Sequence, residues 1–492
     1  MRILLAKIAA DDLELDQADV ISAFLNGKID TLVFLIQAEG FTVTGMFCLV
    51  HKSIYGLCQA ARVWYMVLDD ALLEIGFIRC RGDLACWAHP DGRCVIAHVD
   101  DILNGGNRRQ VEAHLATKFK IKDLGAANVF VGLRISRDRA QRTIYIDQAH
   151  YAKEILETYG MWNCNPVWIP MSPGDILEKE GDLLSPSEKR TYQAMVGALG
   201  YLMNCTRPDI AFVMSRVAQF ASCPTTKHLT AVKHIFRYIK GTIETKLRIR
   251  GGSENPLVTA YFDPSFADDR DDSRSTYGYA ILYGGSTMVW KSKKHKAVNL
   301  STTDAEYLAA TEVTRDILWV ETLFEGLGLK MKKPVELFGD NENANNLGNG
   351  TSMNNRTRHI AIRERFVTEK AATGDIKITW IPTADEAADI FTKPLPRDTF
   401  LKHAKTLGLV FETHTCLFCF STHKSGNALH LHLRTRHGTL IAGMVSRSIY
   451  ISTSISPTCP WKESISTTTS IPTMTEDLNC LQIFLLLFLY QL

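Results

Sequence analysis

The sequence lacks an excess of charge of either sign. Its 492 residues carry 55 Lys and Arg against 53 Asp and Glu, and the first 400 residues carry 48 against 49. This balance excludes the strongly basic proteins that coat nucleic acid through their overall field. If the chain binds nucleic acid, it must therefore do so through local basic patches or through metal ions held by carboxylates.

Long apolar runs and a cysteine framework are also lacking. The eight apolar residues at 483–490 fall far short of the ~20 residues that span a bilayer, so we expect no transmembrane helix and no membrane partner. The twelve cysteines are scattered, which is typical of a reducing compartment and predicts an intracellular protein without a disulfide scaffold. The apolar run at the start is interrupted by Lys7, which favours a helix over a signal peptide.

What is present is ordinary globular composition, with 46% hydrophobic and 22% charged residues, and this excludes disorder for most of the chain. The length predicts about three domains. Strand and helix patterns alternate up to about residue 250 and again over 256–400, with a turn cluster at 251–253 between them. The sequence therefore predicts a multidomain protein of mixed α/β and α+β class.

A first group of acidic residues joins Asp19 with the adjacent pair Asp100 and Asp101. The pair follows a short apolar run at 94–98, which predicts a strand with an acidic tip. Carboxylates gathered at neighbouring strand ends repel one another unless a divalent cation neutralises them, and oxygen ligands suit Mg²⁺. Two such ions would stabilise the attacking and leaving oxygens of phosphoryl transfer. The alternative is a hydrophilic turn, because Asp-Asp pairs are common.

Apolar periodicity places a helix near this group. Trp64, Leu68 and Leu72 recur at helical spacing, so residues 60–75 are predicted to form an amphipathic helix packed on the same sheet.

The second group comprises four acidic residues at the edges of apolar segments: Asp263, Glu306, Asp340 and Asp389. Ser301 and Asp304 resemble a capping box, and the apolar stripe that follows predicts a helix on which Glu306 points toward a sheet. Thr383 and Glu386 have capping-box spacing at the start of a short helix before the last of the four. Such a set is what a two-metal nuclease site requires, although each member alone would be a cap or a surface residue.

Long motifs run through the first four fifths of the chain. They are DVISAFLNG, KSIYGLCQAARVWY, HVDDIL, FKIKDLG, CTRPDIAF, YIKGT, SRSTYGYA, WKSKKHKAVNLSTTDAEY, DNENA, RTRHI and ADIFTKPLP. With these motifs, residues 1–410 resemble the polymerase polyprotein of copia-type LTR retrotransposons. The resemblance implies a reverse transcriptase palm over 1–135, a thumb or connection region over 136–250, and a ribonuclease H-like mixed sheet with helices over 256–400.

The resemblance also implies roles for residues of the polymerase half. Asp19, Asp100 and Asp101 would be its Mg²⁺-binding carboxylates. Phe24 would match the aromatic gate that excludes a 2′-hydroxyl, and Gln59 would lie near the incoming nucleotide. The segment that contains Phe130 and Gly132 would resemble the primer grip. Core packing is the alternative for the two phenylalanines.

For the other half, the resemblance implies that Asp263, Glu306, Asp340 and Asp389 hold Mg²⁺ and cut the RNA strand of RNA–DNA hybrids. The basic run that contains Lys293 and Lys294 would contact hybrid phosphates, which position a duplex without reading its sequence. The alternative for the run is a solvated charged face.

The resemblance is incomplete at the start. Relatives carry a fingers region ahead of the DV motif, and here few residues precede Asp19, so the fingers are expected to be missing. Positioning supplies much of the rate of phosphoryl transfer, so we expect RNA hydrolysis to be better retained than DNA synthesis. Other element-encoded polypeptides would then be partners, beside the hybrid and primer-template nucleic acid.

The tail after residue 411 lies outside the resemblance. Cys416, Cys419, His432 and His437 have the spacing of a two-Cys two-His zinc finger, so residues 412–440 would fold around Zn²⁺. The alternative is accidental spacing in unrelated sequence. Residues 441–492, rich in Ser and Thr, are predicted to be disordered.

Three hypotheses of function follow from the sequence. The first is a retrotransposon-derived RNA-directed DNA polymerase and ribonuclease H. The second is a catalytically silent nucleic-acid-binding relic, and the third is a decaying copy. A divalent metal and Asp263 are needed only by the first.

Overall fold

A computed structural model describes residues 1–251, 257–341, 358–411, 414–415 and 422–423. The chain divides into two units, Met1–Val410 and Phe411–Leu492. The described residues of the first unit form three sheets of five or six strands, a short hairpin and packed helices, which confirms the predicted mixed class. The boundaries predicted inside this unit remain predictions.

The first sheet has six antiparallel strands in the order β4-β5-β6-β7-β1-β8. Its strands are β1 (Leu15–Val20), β4 (Ile78–Arg79), β5 (Cys86–Ala88), β6 (Cys94–His98), β7 (Asp101–Gly105) and β8 (Ile121–Ala126). Between β1 and β4, the strands β2 (Phe34–Leu35) and β3 (Cys48–Leu49) form a separate short hairpin. Helices α2 (Ala60–Leu73) and α3 (Arg108–Ala116) belong to the same part, and α2 confirms the predicted helix. The apolar stripe of α2, which includes Trp64, Leu68 and Leu72, packs in one buried cluster with Trp87 of β5 and with Phe119, which precedes β8.

The second sheet has the strand order β18-β12-β11-β10-β9, with antiparallel neighbours. Its strands are β9 (Val129–Phe130), β10 (Leu133–Asp138), β11 (Thr143–Asp147), β12 (Lys246–Arg250) and β18 (Leu409–Val410). The helices around it are α1 (Arg2–Ala10), α4 (Ala149–Thr158), α5 (Pro186–Cys205), α6 (Ala211–Ala218) and α7 (Thr226–Gly241). The predicted N-terminal helix is thus confirmed as α1, which is almost wholly buried.

Buried charge ties the helices of this part together. Arg207 donates to both carboxylate oxygens of Asp209 and to the backbone oxygen of Thr242 at the end of α7. Tyr238 of α7 donates to the same Asp209 at 2.5 Å. All of these side chains are buried. The CTRPDIAF and YIKGT motifs therefore form a buried contact between the segment before α6 and the end of α7.

The third sheet has the order β15-β14-β13-β16-β17. The hairpins β13 (Val258–Ser265), β14 (Thr276–Tyr283) and β15 (Ser286–Lys294) are antiparallel, whereas β16 (Val335–Gly339) and β17 (Ile376–Trp380) extend the sheet in parallel with β13. The helices of this part are α8 (Thr302–Gly326), α9 (Arg358–Ala372) and α10 (Arg397–Thr406), with 3₁₀ turns at Thr383–Asp385 and Ala387–Phe391.

Capping decides how two of these helical segments begin. The Ser301 hydroxyl accepts a hydrogen bond from the Asp304 backbone N–H, which is one of the two bonds of the predicted capping box, and starts α8. The capping box predicted from Thr383 is wrong. Thr383–Asp385 forms only a 3₁₀ turn, and the Glu386 carboxylate caps the next turn by accepting from the Ala388 backbone N–H at 2.9 Å.

In the second unit, β19 (His414–Thr415) and β20 (Thr422–His423) pair as antiparallel strands. The four side chains predicted to hold Zn²⁺, Cys416, Cys419, His432 and His437, lie outside the described residues, as does the segment predicted to be disordered. Over the described ranges, none of the helices has the length and apolarity to cross a membrane.

Candidate active site

The carboxylates of the first group meet on the first sheet. Asp19 near the end of β1 lies directly opposite Asp101, the first residue of β7. Asp100 occupies the turn between β6 and β7, where its backbone oxygen accepts from the Val20 N–H at 2.8 Å. The sheet register therefore gathers all three predicted polymerase carboxylates at one edge.

A hydrogen bond from α2 stabilises the turn that carries Asp100. Val99 adopts a left-handed backbone with φ +60°, which is unfavourable for a β-branched residue. The Trp64 indole N–H donates to the Val99 backbone oxygen at 2.6 Å and stabilises that conformation. The helix predicted from apolar spacing thus positions the acidic turn.

Electrostatics at this group follow from crowding. Burial raises the pKa of Asp19, and the neighbouring carboxylates of Asp100 and Asp101 raise it further, while Lys122 opposes them. Gln17 Nε2 donates to Asp101 Oδ1 at 3.2 Å and orients that side chain.

The other residues predicted for polymerase function are placed as follows. Phe24 is half-buried, and its ring lies 4.6 Å from that of Tyr55. Gln59 is half-buried and immediately precedes α2. Phe130 is only 2% exposed, so its side chain belongs to the core. Gly132 has φ +69° beside Tyr201, whose hydroxyl donates to the Val131 oxygen at 2.6 Å.

The second group of carboxylates converges at one edge of the third sheet. Tyr261 of β13 pairs with Phe338 of the parallel strand β16, so Asp263, two residues further along β13, lies level with Asp340, which directly follows β16. Glu306 comes from the first turns of α8, and Asp389 from the 3₁₀ turn Ala387–Phe391. Four segments distant in sequence thus supply the four predicted residues, and Glu306 is buried as its helix spacing predicted.

Named hydrogen bonds fix these side chains. The Thr392 hydroxyl donates to Asp263 Oδ2. Asn341 Nδ2 donates to Glu306 Oε1 at 3.0 Å. The ammonium of Lys393 lies 2.7 Å from Asp389 Oδ1.

Burial and mutual repulsion keep this cluster partly protonated. Burial raises the pKa of Glu306 to about 8, and Asp263 and Asp340 add to the rise against the Asn341 hydrogen bond. Burial and then Asp263 raise the pKa of Asp389 to about 7. Burial also raises the pKa of Asp263, although Lys393 and the Thr392 hydrogen bond oppose it. Groups with such shifts are typical of functional sites.

Four residues of this site were not among the predicted metal ligands, and Glu386 was predicted only as part of a helix cap. Glu386 is fully buried, and burial raises its pKa well above the usual range, with Asp263 and Asp389 contributing. Thr392, Lys393 and Asn341 hold three of the predicted carboxylates. One signal was available, because Lys393 stands four residues after Asp389 in ADIFTKPLP, a spacing at which opposite charges meet.

The donor set suits a hard divalent cation, because it consists of crowded carboxylate oxygens. Burial, and after it the neighbouring carboxylates, raise the pKa values of Asp263, Glu306 and Asp389, and a bound cation would favour their ionised forms. Among the residues that the structure describes, however, no group of three or more Asp, Glu, His or Cys side chains is arranged as it stands to hold a metal ion. Asp263, Glu306, Asp340 and Asp389 are the carboxylates that would hold Mg²⁺ at this site.

The basic run beside the third sheet is only partly free. Lys294 lies 2.6 Å from Asp269 and 2.8 Å from Asp272 and so takes part in an ion-pair network, while its predicted contact with a hybrid phosphate stays a prediction. Lys293 is exposed. A cavity of about 730 Å³ opens beside the run. Its lining includes Tyr277, Lys293, Lys294, His295, Lys296 and Arg315.

Comparison with known proteins places the chain. Residues 1–173 match the family model described as reverse transcriptase (RNA-dependent DNA polymerase). The chain is 35% identical to the retrovirus-related Pol polyprotein from transposon TNT 1-94 of Nicotiana tabacum over 81% of this chain and 31% of that protein. It is 33% identical to the Pol polyprotein from transposon RE1 of Arabidopsis thaliana, over 83% of this chain and 28% of that protein.

The chain therefore spans about a third of the length of these relatives. Among solved structures, ribonuclease H1 of Halobacterium salinarum is matched over 28% of this chain and 94% of that protein, with 20% identity and a TM-score of 0.21. A putative transposon Ty5-1 protein of Saccharomyces cerevisiae is 31% identical over 312 residues and is covered over its full length. The chain belongs to the reverse transcriptase family of copia-type retrotransposon Pol polyproteins.

Proposed function

We propose that the chain hydrolyses the RNA strand of RNA–DNA hybrids at the carboxylate cluster of the third sheet, with Mg²⁺ as the cofactor. The observation that carries this proposal is the convergence of Asp263, Glu306, Asp340 and Asp389 from four separate segments. A cluster with only a structural role would lower the stability of the fold, because buried carboxylates that no cation neutralises must stay protonated.

The residues of the cluster divide the work of phosphodiester hydrolysis. Bound divalent ions would activate water and neutralise charge on the phosphate. Asp263 and Asp389 supply buried oxygen ligands, while Asn341 holds the Glu306 carboxylate in a fixed rotamer. Lys293 and the cationic side chains around the neighbouring cavity bind phosphates and so position the hybrid.

The decisive experiment is cleavage of a labelled RNA–DNA hybrid by the full chain, with Mg²⁺ or with a chelator. Asp263→Asn should lower the cleavage rate by about a hundredfold or more, since even residues that only support a metal ligand cost up to about that factor. Asp385→Asn is the matched control, because Asp385 is exposed and pairs with Lys402. Hybrid binding without metal-dependent cleavage would instead identify a binding relic.

A second candidate function is DNA synthesis at the first sheet. The facing of Asp19 and Asp101 across β1 and β7, with Asp100 in the adjoining turn, supports it. Primer extension on an RNA template by the full chain, compared with Asp100→Asn, tests this activity.

A further inference from the structure

Lys393 is the cationic partner inside the carboxylate cluster. Its ammonium lies 2.7 Å from Asp389 Oδ1, while its backbone N–H donates to the backbone oxygen of Asp389 at 3.1 Å. Burial alone would lower the pKa of Lys393, but the charges of Asp263, Asp389 and Asp340 outweigh burial and raise it. The side chain is 40% exposed, so the ammonium can leave toward solvent without unfolding its surroundings.

An ammonium and a divalent ion compete for the same oxygen. A metal ion bound by Asp389 would be repelled strongly by a positive charge at contact distance, because the site is partly buried and poorly screened. The 3₁₀ turn Ala387–Phe391 and the following Thr392 fix the backbone on which Lys393 stands, and the Thr392 hydroxyl is engaged by Asp263. Only the flexible lysine stem can therefore yield.

We propose that Lys393 is a built-in counter-cation that occupies one cation position of the cluster and must be displaced for divalent metal to bind there. This rests on the proposed function, since it concerns the same cluster. In the metal-free chain Lys393 stabilises the carboxylates, and it thereby sets the divalent-ion concentration at which the site fills. Lysine is suited to this role because its ammonium is a compact charge on a mobile stem.

The position of Lys393 differs from that of an ordinary surface lysine. Lys402 also pairs with a carboxylate, Asp385 at 2.7 Å, but both members of that pair are half or more exposed. Lys402 therefore shares the residue type and the ion pair, and it lacks contact with the cluster. It provides a matched control for any effect of net charge.

The test is titration calorimetry with Mn²⁺ on the full chain. Every sample carries Asp19→Asn and Asp101→Asn, so that metal binding on the first sheet does not contribute. Lys393→Met, with Lys393→Gln as a second neutral variant, should bind Mn²⁺ about tenfold more tightly or better than the parent, because a repulsive charge is removed from contact with the ligand. Lys393→Arg and Lys402→Met should bind like the parent.

Each alternative outcome has a distinct meaning. If the neutral variants stay within about twofold of the parent while Asp263→Asn abolishes binding, Lys393 is only a structural ion pair and the inference is wrong. An equal gain in Lys402→Met would also overturn it, as a general charge effect. If no Mn²⁺ binding depends on Asp263, both the inference and the proposed metal-dependent hydrolysis fail. Circular dichroism of each variant confirms that the chain is folded.

Discussion

Individual carboxylates of the cluster should make stability depend on pH in a particular direction. Burial raises the pKa of Glu306 to about 8 and that of Asp389 to about 7, whereas carboxyls in an unfolded chain titrate near pH 4. The folded chain thus binds more protons between about pH 4 and pH 8, so its free energy of unfolding falls as pH rises through that window. With chelator present, we expect the Tm to be lower at about pH 8 than at about pH 5.

Glu306→Gln is the control for this dependence, because the amide oxygen can still accept from Asn341 and carries no titrating proton. The variant should flatten the change of Tm with pH. An unchanged slope in Glu306→Gln would show that other groups cause it.

At the same scale, the sequence predicted which acidic residues matter better than how they are held. Asp263 and Glu306 lie at predictable edges of apolar segments. The hydroxyl of Thr392, by contrast, donates to Asp263 across a sequence separation of 129 residues, and the sequence around neither residue predicts that contact. The role of Lys393 was partly predictable, because its i,i+4 spacing to Asp389 is visible in the sequence, whereas its proximity to Asp263 and Asp340 is not.

At the scale of elements, strand β15 and the loop after it should bind hybrid phosphates. Lys293 and Lys296 are exposed and line the neighbouring cavity. Replacing both with Ala should weaken hybrid binding and reduce the slope of log Kd against log salt by about 1.4 to 1.8, at about 0.7 to 0.9 per lost phosphate contact. Fluorescence anisotropy at several salt concentrations measures both effects.

Lys377→Ala is the matched control for that strand. Lys377 is 61% exposed on β17, at the opposite edge of the same sheet. A similar loss of slope in this variant would mean that binding follows total charge and not the cavity beside β15.

Elements with a strong period were predictable and short ones were not. Helix α2 was predicted over 60–75 and is observed over Ala60–Leu73, because a three-turn apolar stripe leaves little choice. The turn Ala387–Phe391 was assigned the wrong cap, because its Glu386 carboxylate is drawn inward by a buried site that local spacing does not describe.

At the scale of the molecule, a buried ion network joins α6 to the third sheet. Arg216 of α6 donates to Asp269 at 3.2 Å, and Asp269 also pairs with Lys294. Arg216→Met should lower the free energy of unfolding by about 1.5–3 kcal/mol, because it removes a charged hydrogen bond to a buried carboxylate that Lys294 still neutralises in part. Urea denaturation of the full chain measures the change.

The comparison for this network is Arg270→Met. Arg270 is 63% exposed and lies 3.5 Å from Glu178, so its loss should cost less than about 1 kcal/mol. Equal costs for the two variants would mean that the α6 network is no more than a surface ion pair.

Strands β12 and β18 are neighbours in the second sheet, and the whole third sheet lies between them in the chain. Leu409 pairs with Leu247 of β12, so the polypeptide leaves the second sheet after β12 and returns to the strand beside it. In topological terms, the segment between β12 and β18 is an insertion into the second sheet, with its entry and exit on neighbouring strands. A short turn could therefore close the gap if the insertion were excised, whereas a cut on one side alone would strip the second sheet of its edge strand.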